Sequence, residues 1–277
     1  MDSTTELSNK NFNRLAQFIE GHCGIKMPPT KKTMVEGRLR RRVRALALRD
    51  FDDYCTFLFD RGGMEQELEH LVDVVTTNKT DFFRESEHFT FLVEGAVPAL
   101  MQSGIGLSRP LRTWSSACST GQEPYTMAMV LAEMAARTRG FRFTVDATDI
   151  CSEVLEVAVR AVYPEEQLDP VPPELRRRYF MRGRAEREHL VRVVPELRSK
   201  VSFRGINLIE GAYPWTEPMD VVFCRNVLIY FDRPTQLRVL EFLCSNIPPG
   251  GWLFLGHSET LSGQSLPDAS SPGCWML

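Results

Sequence analysis

The sequence predicts an α/β protein: a doubly wound parallel sheet with a small antiparallel β insertion, preceded by an all-helical N-terminal domain. Before residue 76 the apolar residues recur at helical spacing. After residue 110, short hydrophobic strand patterns alternate with helical ones, as in a parallel sheet with crossover helices. Segments 114–125, 145–150 and 203–208 each end a strand, followed by a glycine turn, an acid and an asparagine respectively. A doubly wound sheet presents its ligand-binding edge in this way, outside the carboxyl ends of its strands.

In the N-terminal part, Phe12, Leu15, Phe18 and Ile19 predict a first helix with Ser8 or Asn9 as its cap. The loop HCGIKMPPT interrupts it. Met34, Val35, Leu39, Val43 and Leu46 form the apolar stripe of a second helix, whose other faces carry Arg38, Arg40, Arg41, Arg42, Arg44 and Arg49. Helices over 51–59 and 64–75 complete a small bundle. The polar, aromatic segment TTNKTDFFRE (76–85) leads into a helix over 87–101. Strands are expected at 111–117, 142–147, 200–206, 219–224 and 252–256, with a closing hairpin at 274–277. The long stretch 163–200, with the alternating HLVRVV, is the antiparallel insertion. The expected domains are therefore 1–85 and 86–277.

A chain of 277 residues can bury a core without staples. Its seven cysteines form no CxxC pair, which fits a reducing compartment better than a disulfide framework. The net charge of −3 argues against wholesale nucleic-acid binding. No stretch approaches a membrane span and the polar start is no signal peptide, so the expectation is a cytoplasmic protein without membrane insertion.

The chemistry sits at the strand ends. Gly121 allows a sharp turn and close backbone approach to a ligand. Glu123 suits a positively charged group or a ribose hydroxyl. Asp149 stands where an acid reads ribose hydroxyls, or alternatively caps the next helix. Asn207 can hydrogen-bond an adenine edge while Leu208 packs on its face; a turn-forming asparagine is the plainer alternative. Asn78, Thr80 and Arg84 are placed to cap the site, and Arg84 matches a carboxylate by its planar fork. Arg225 and Asn226 end a buried hydrophobic strand, and Tyr230 follows. With no phosphate grip in the pattern, the expected cofactor is a nucleoside poor in phosphate, S-adenosylmethionine, and the expected activity is methyl transfer.

TTNKTDFFRE, WSSACSTGQEPYTMAM, ATDI, NL, FCRNVLIYFD and LGHSET, taken in order, resemble the CheR-type chemotaxis receptor methyltransferases, and GRLRRRVRALAL resembles their helical domain. The resemblance covers nearly the whole chain. It implies a class I methyltransferase domain that transfers methyl groups from S-adenosylmethionine to chemoreceptor glutamates, releasing S-adenosylhomocysteine. The implied cofactor contacts fall on Asn78, Thr80, Arg84, Glu123, Asp149, Asn207, Leu208, Arg225 and Asn226. Tyr230 matches a tyrosine that faces the reacting centre, and Arg84 and Tyr230 are expected to orient the substrate glutamate. Stretch 163–200 resembles a β-subdomain that in some members grips a C-terminal receptor peptide. Gln122 stands where glutamate is common, and Cys151 where Asp or Ser is usual.

A glutamate is already ionised at neutral pH, so methylating it needs alignment and desolvation but no general base. No metal is expected, and the histidines are expected to be structural, with His257 packed beside the sheet. Arg38, Arg41, Arg42 and Arg44 form a concentrated basic field, expected to dock on the receptor's cytoplasmic helical bundle; a solvated face is the plainer reading. The resemblance also implies association with receptor arrays and leaves room for a regulatory protein. Two other classes compete. A nucleic-acid methyltransferase would be retained on DNA or RNA in a salt-dependent way. A cofactor-sensing binding module would bind without methyl transfer.

Overall fold

The computed structural model describes residues 6–259 and the backbone of Cys274–Met276. The chain divides into two compact units, Met1–Thr77 with Tyr230–Thr235, and Asn78–Ile229 with Gln236–Leu277. The change of unit thus falls before TTNKTDFFRE has ended, whereas the sequence places it after Glu85. The reason lies in packing: Phe82 is fully buried among residues of the second unit, edge-on to Tyr163 and Phe180.

The first unit is built on four helices: α1 (Asn9–Cys23), α2 (Lys32–Ala45), α3 (Phe51–Asp60) and α4 (Met64–Val75). Ser8 caps α1, its Oγ accepting from the Asn11 amide at 3.2 Å, and Asp50 caps α3 through the Asp53 amide. The predicted stripes face inward, with Leu15, Ile19, Val35, Leu39 and Val43 buried.

Two of the arginines expected to dock on the receptor, Arg38 and Arg42, are half-buried and bonded within the first unit. Arg38 donates from Nη1 to the carbonyls of Val74 (2.8 Å) and Thr76 (2.7 Å) at the end of α4. Helix-end carbonyls lack intrahelical donors, and a cation there also meets the negative pole of the helix dipole. Arg42 forks onto both oxygens of buried Glu67, with Nε to Oε2 at 3.0 Å, and the Tyr54 hydroxyl donates to the same Oε2. Arg41 and Arg44 are exposed.

The second unit begins with α5 (Ser86–Phe91), a π-helical turn (Leu92–Ala96) and α6 (Val97–Gln102), where the sequence predicts one uninterrupted helix. The strand and helix series follows: β1 (Leu111–Ser116), α7 (Gln122–Arg137), β2 (Phe143–Asp149) and α8 (Ser152–Arg160). Next come β3 (Val162–Pro164), α9 (Pro173–Tyr179), β4 (Phe180–Arg182), β5 (Leu190–Val193) and α10 (Pro195–Arg198). The chain continues through β6 (Val201–Gly205), β7 (Val221–Cys224), α11 (Arg233–Ser245), β8 (Gly251–Leu255) and β9 (Cys274–Met276).

Strands run in the order β6-β2-β1-β7-β8-β9, and every pairing is parallel. The chain winds outward from β1 through β2 to β6, then restarts at β7 and winds the other way. Right-handed crossovers in opposite directions place their helices on opposite faces and leave a switch point between β1 and β7. β3, β5 and β4 form the separate antiparallel sheet expected within 163–200.

The closing hairpin expected at 274–277 is corrected. Among the described residues, Cys274–Met276 pairs with β8 in parallel, Gly251 opposite Cys274. A parallel neighbour requires a crossover of a dozen or more residues, and the chain between β8 and β9 has that length. Leu277 and Thr260 of LGHSET lie outside the described residues.

Candidate active site

The carboxyl ends of β6, β2, β1 and β7 lie side by side, and Glu123, Asp149, Asn207, Leu208, Arg225 and Asn226 stand at or after them in the chain. After β1 the backbone turns tightly, with Ala117, Ser119 and Gly121 at positive φ. Gly121, at φ 95°, must be glycine, because a Cβ there would lie 2.9 Å from Ala158 Cβ and 3.0 Å from the Tyr163 hydroxyl. The turn aims the Ser119 amide at Asp149 Oδ2 (2.8 Å), and the Ser119 hydroxyl donates to the Asn78 carbonyl (2.9 Å). This joins TTNKTDFFRE to the sheet edge.

Asp149 ends β2 and is buried. Its Oδ1 accepts from the Cys151 amide at 3.0 Å. The N-cap position of α8 is Cys151 rather than Asp149. Asp149 is therefore an oriented carboxylate, its two oxygens each steadied by a backbone N–H. The Asn78 amide Nδ2 lies 3.5 Å from Cys151 Sγ. Asn207 caps the turn after β6, with Oδ1 towards the Ile209 amide (3.4 Å) and Nδ2 donating to Glu210 (3.2 Å). Leu208 beside it is buried.

Glu123, Arg225 and Asn226 meet in one network. The Glu123 carboxylate accepts from the Ser115 hydroxyl at 2.7 Å and from Arg225 Nη1 at 3.0 Å. Arg225, whose side chain is 1% exposed, also donates from Nη2 to Glu85 Oε2 at 3.0 Å and to the Arg84 carbonyl. Glu85 Oε1 accepts from Asn226 Nδ2 at 3.1 Å. Beneath them Glu259 accepts from the amides of Asn226, Val227, Leu228 and Gly256, each at 2.7 Å. This holds Asn226 at φ 59°.

Burial dominates the electrostatics. It raises the pKa of Glu123 against the opposing pull of Arg225 and Ser115, and raises that of Glu259 against its four backbone donors. Burial also pushes Glu85 upward, but the bonds from Asn226 and Arg225 together with the charge of Arg225 outweigh it, and the net shift is downward. His88 is pushed down to about 4, by burial first and then by Arg225.

Arg84 is half-buried, and its Nη1 donates to the Lys79 carbonyl at 2.9 Å; Thr80 is half-buried. Tyr230 belongs to the first unit, where its carbonyl accepts from the Lys26 amide (2.8 Å) and Lys31 Nζ lies 5.8 Å from its ring centre. His257, expected beside the sheet, is instead half-exposed, with Nε2 2.8 Å from Glu87 Oε1. Sequence reasoning missed Glu85, Ser115 and Glu259. Their signals were present, since Glu85 closes TTNKTDFFRE and Glu259 lies in LGHSET, but an acid's partner across the sheet is not visible in one segment.

These donors fit S-adenosylmethionine. An oriented acid at the end of β2 suits a ribose diol, an amide after β6 suits a base edge, and Glu123 suits a cationic group. The buried cation, Arg225, is matched by two carboxylates and offers no grip for a phosphate.

Residues 78–272 match the family described as CheR methyltransferase, SAM binding domain, and residues 10–76 match CheR methyltransferase, all-alpha domain. The chain is 41% identical to the chemotaxis protein methyltransferase of Escherichia coli strain K12, over 95% of this chain and 88% of that one. It is 42% identical to chemotaxis protein methyltransferase 2 of Pseudomonas aeruginosa, over 91% and 87%. With the chemotaxis protein methyltransferase of Borreliella burgdorferi it shares 33% identity, over 93% and 90%.

Proposed function

This chain belongs to the CheR methyltransferase family and is an S-adenosylmethionine-dependent methyltransferase, and we propose that it methylates glutamate side chains of chemoreceptors. The product is a glutamate methyl ester that tunes chemotactic adaptation. The observation that carries the reading is the strand-end donor set, Asp149 held by two amides beside the Glu123–Arg225 pair, in a family of chemotaxis enzymes.

Bound S-adenosylmethionine supplies an electrophilic methyl group. Asp149, Asn207 and Leu208 bind the nucleoside end, and Glu123 the cationic methionine end. Asn78 and Thr80 close over the cofactor, and Arg225 and Asn226 shape its floor. Arg84 and Tyr230 orient the acceptor carboxylate. That carboxylate is ionised at neutral pH, so the residues position it and exclude water instead of moving a proton.

The acceptor lies on the receptor's cytoplasmic helical bundle, and exposed Arg41 and Arg44 of α2 dock on that acidic surface. The edges of the β3-β5-β4 sheet suit an added strand, in keeping with a tethering peptide. The place of action is the cytoplasmic receptor array. Among the described residues, no helix is long and apolar enough to cross a membrane.

The test is transfer of labelled methyl to membranes containing chemoreceptors, beside an Arg84→Ala control. Base-labile label on the receptor, lost in the control, is expected. Cofactor binding without any transfer would overturn the reading in favour of a sensing module.

A further inference from the structure

Behind the Arg225 network lies a cluster to which methyl transfer assigns no work. Glu85, which leads into α5, His88 in the first turn of that helix, and His257 after β8 each bring one ligand atom, and these atoms lie within 4.8 Å of one another. His88 is 4% exposed, and its Nδ1 has no hydrogen-bond partner among the described residues. That nitrogen lies 3.6 Å from Glu85 Oε2, too far for a hydrogen bond. Leaving a buried polar atom unsatisfied costs about 1–3 kcal/mol, and no described residue supplies this nitrogen with a partner.

The spacing suits a metal. Bonds near 2.0–2.1 Å in tetrahedral geometry put neighbouring ligand atoms roughly 3.3–3.4 Å apart, within a few tenths of an ångström of the His88–Glu85 separation. The His88 and His257 rings meet edge to face, centroids 5.2 Å apart, and Phe254 walls the buried side of His88. Glu87 lies 2.8 Å from His257 Nε2, as carboxylates do when they orient a ligating imidazole. The charge also suits a cation: Glu85, Glu87 and Glu123 outnumber the one guanidinium, Arg225. Two imidazoles and a carboxylate select borderline divalent ions of the zinc and cobalt class over calcium or magnesium.

We propose that Glu85, His88 and His257 form a binding site for a first-row divalent transition metal of the zinc class, antagonistic to the cofactor. Antagonism follows because Glu85 is shared. Its oxygens hold Arg225 and Asn226 in the cofactor network, and ligating a metal draws on the same lone pairs. The coupling is reciprocal, so cofactor binding weakens the metal by the same factor.

The experiment titrates the tag-free full chain, stripped by chelator, with Co2+, reading the visible absorption of the bound ion and calorimetric stoichiometry. One equivalent is expected to bind with a tetrahedral spectrum. His257→Ala, at an exposed position, should keep the fold and lower Co2+ affinity at least about tenfold, while His189→Ala leaves it unchanged. S-adenosylhomocysteine should bind several-fold more weakly at saturating Co2+ in the parent chain but not in His257→Ala. Equal Co2+ affinity in His257→Ala and the parent, or no tetrahedral spectrum, would overturn the site. Unchanged S-adenosylhomocysteine affinity would remove Glu85 from the ligand set and overturn the antagonism. None of these readouts depends on the methyl acceptor being a glutamate.

Discussion

Arg225 Nη2 lies 3.0 Å from Glu85 Oε2, joining residues 140 positions apart in the sequence. With Glu123 on its other side, the guanidinium is the hub of a charged network at the carboxyl end of the sheet. Arg225→Ala strands Glu123 as a buried charge and is expected to destabilise the chain by about 3–5 kcal/mol. Combining it with Glu123→Gln should cost less than the sum of the two single changes. Denaturant unfolding of the full chain checks both; additive costs would show that the pair does not act as a unit.

The raised pKa of Glu123 has a consequence for binding. A raised carboxyl favours the protonated form in the folded chain. Its contribution to stability is therefore present below the unfolded value, about 4.3, and lost as pH rises through the folded pKa. For a cationic ligand the order reverses, since the carboxylate is the binding form. S-adenosylhomocysteine affinity is expected to fall as pH drops from neutral, beginning above the ordinary glutamate range. Glu123→Gln should bind weakly with a flatter profile; calorimetry across that range decides it.

Asp149→Asn tests the oriented acid. Both oxygens accept from backbone amides, and an asparagine offers a single oxygen and turns an NH2 against the other donor. The expected loss is about 1–3 kcal/mol per unsatisfied group, read as cofactor affinity lowered roughly tenfold or more.

The arginines of α2 should separate by role. Arg42→Glu places a second acid beside buried Glu67 and is expected to destabilise the helical unit by about 3 kcal/mol or more. Arg41→Glu with Arg44→Glu should stay within about 0.5 kcal/mol per change in stability. The same pair should reduce receptor methylation, most strongly at low salt, with cofactor affinity intact. Unchanged methylation would return these arginines to a solvated face.

Much of this architecture was legible in the sequence because it rests on local periodicity. The stripe Val35, Leu39 and Val43, the cap at Ser8 and the strand ends at Asp149 and Asn207 each depend on neighbours within a few residues. The π turn at Leu92–Ala96 and the parallel pairing of Cys274–Met276 were not legible, since neither departs from ordinary helix or strand composition.

By itself the sequence determined the two-part organisation, the alternation of strands and helices, and which residues stand at the strand ends. Hydrophobic spacing and turn chemistry act along the chain, so they can be read along it. Only the tertiary structure decided the partners of the charged side chains: Arg42 with Glu67, Arg38 with the end of α4, Arg225 with Glu85 and Glu123. A buried charge must find its counter-charge wherever packing brings one, and folding sets that proximity without regard to sequence distance.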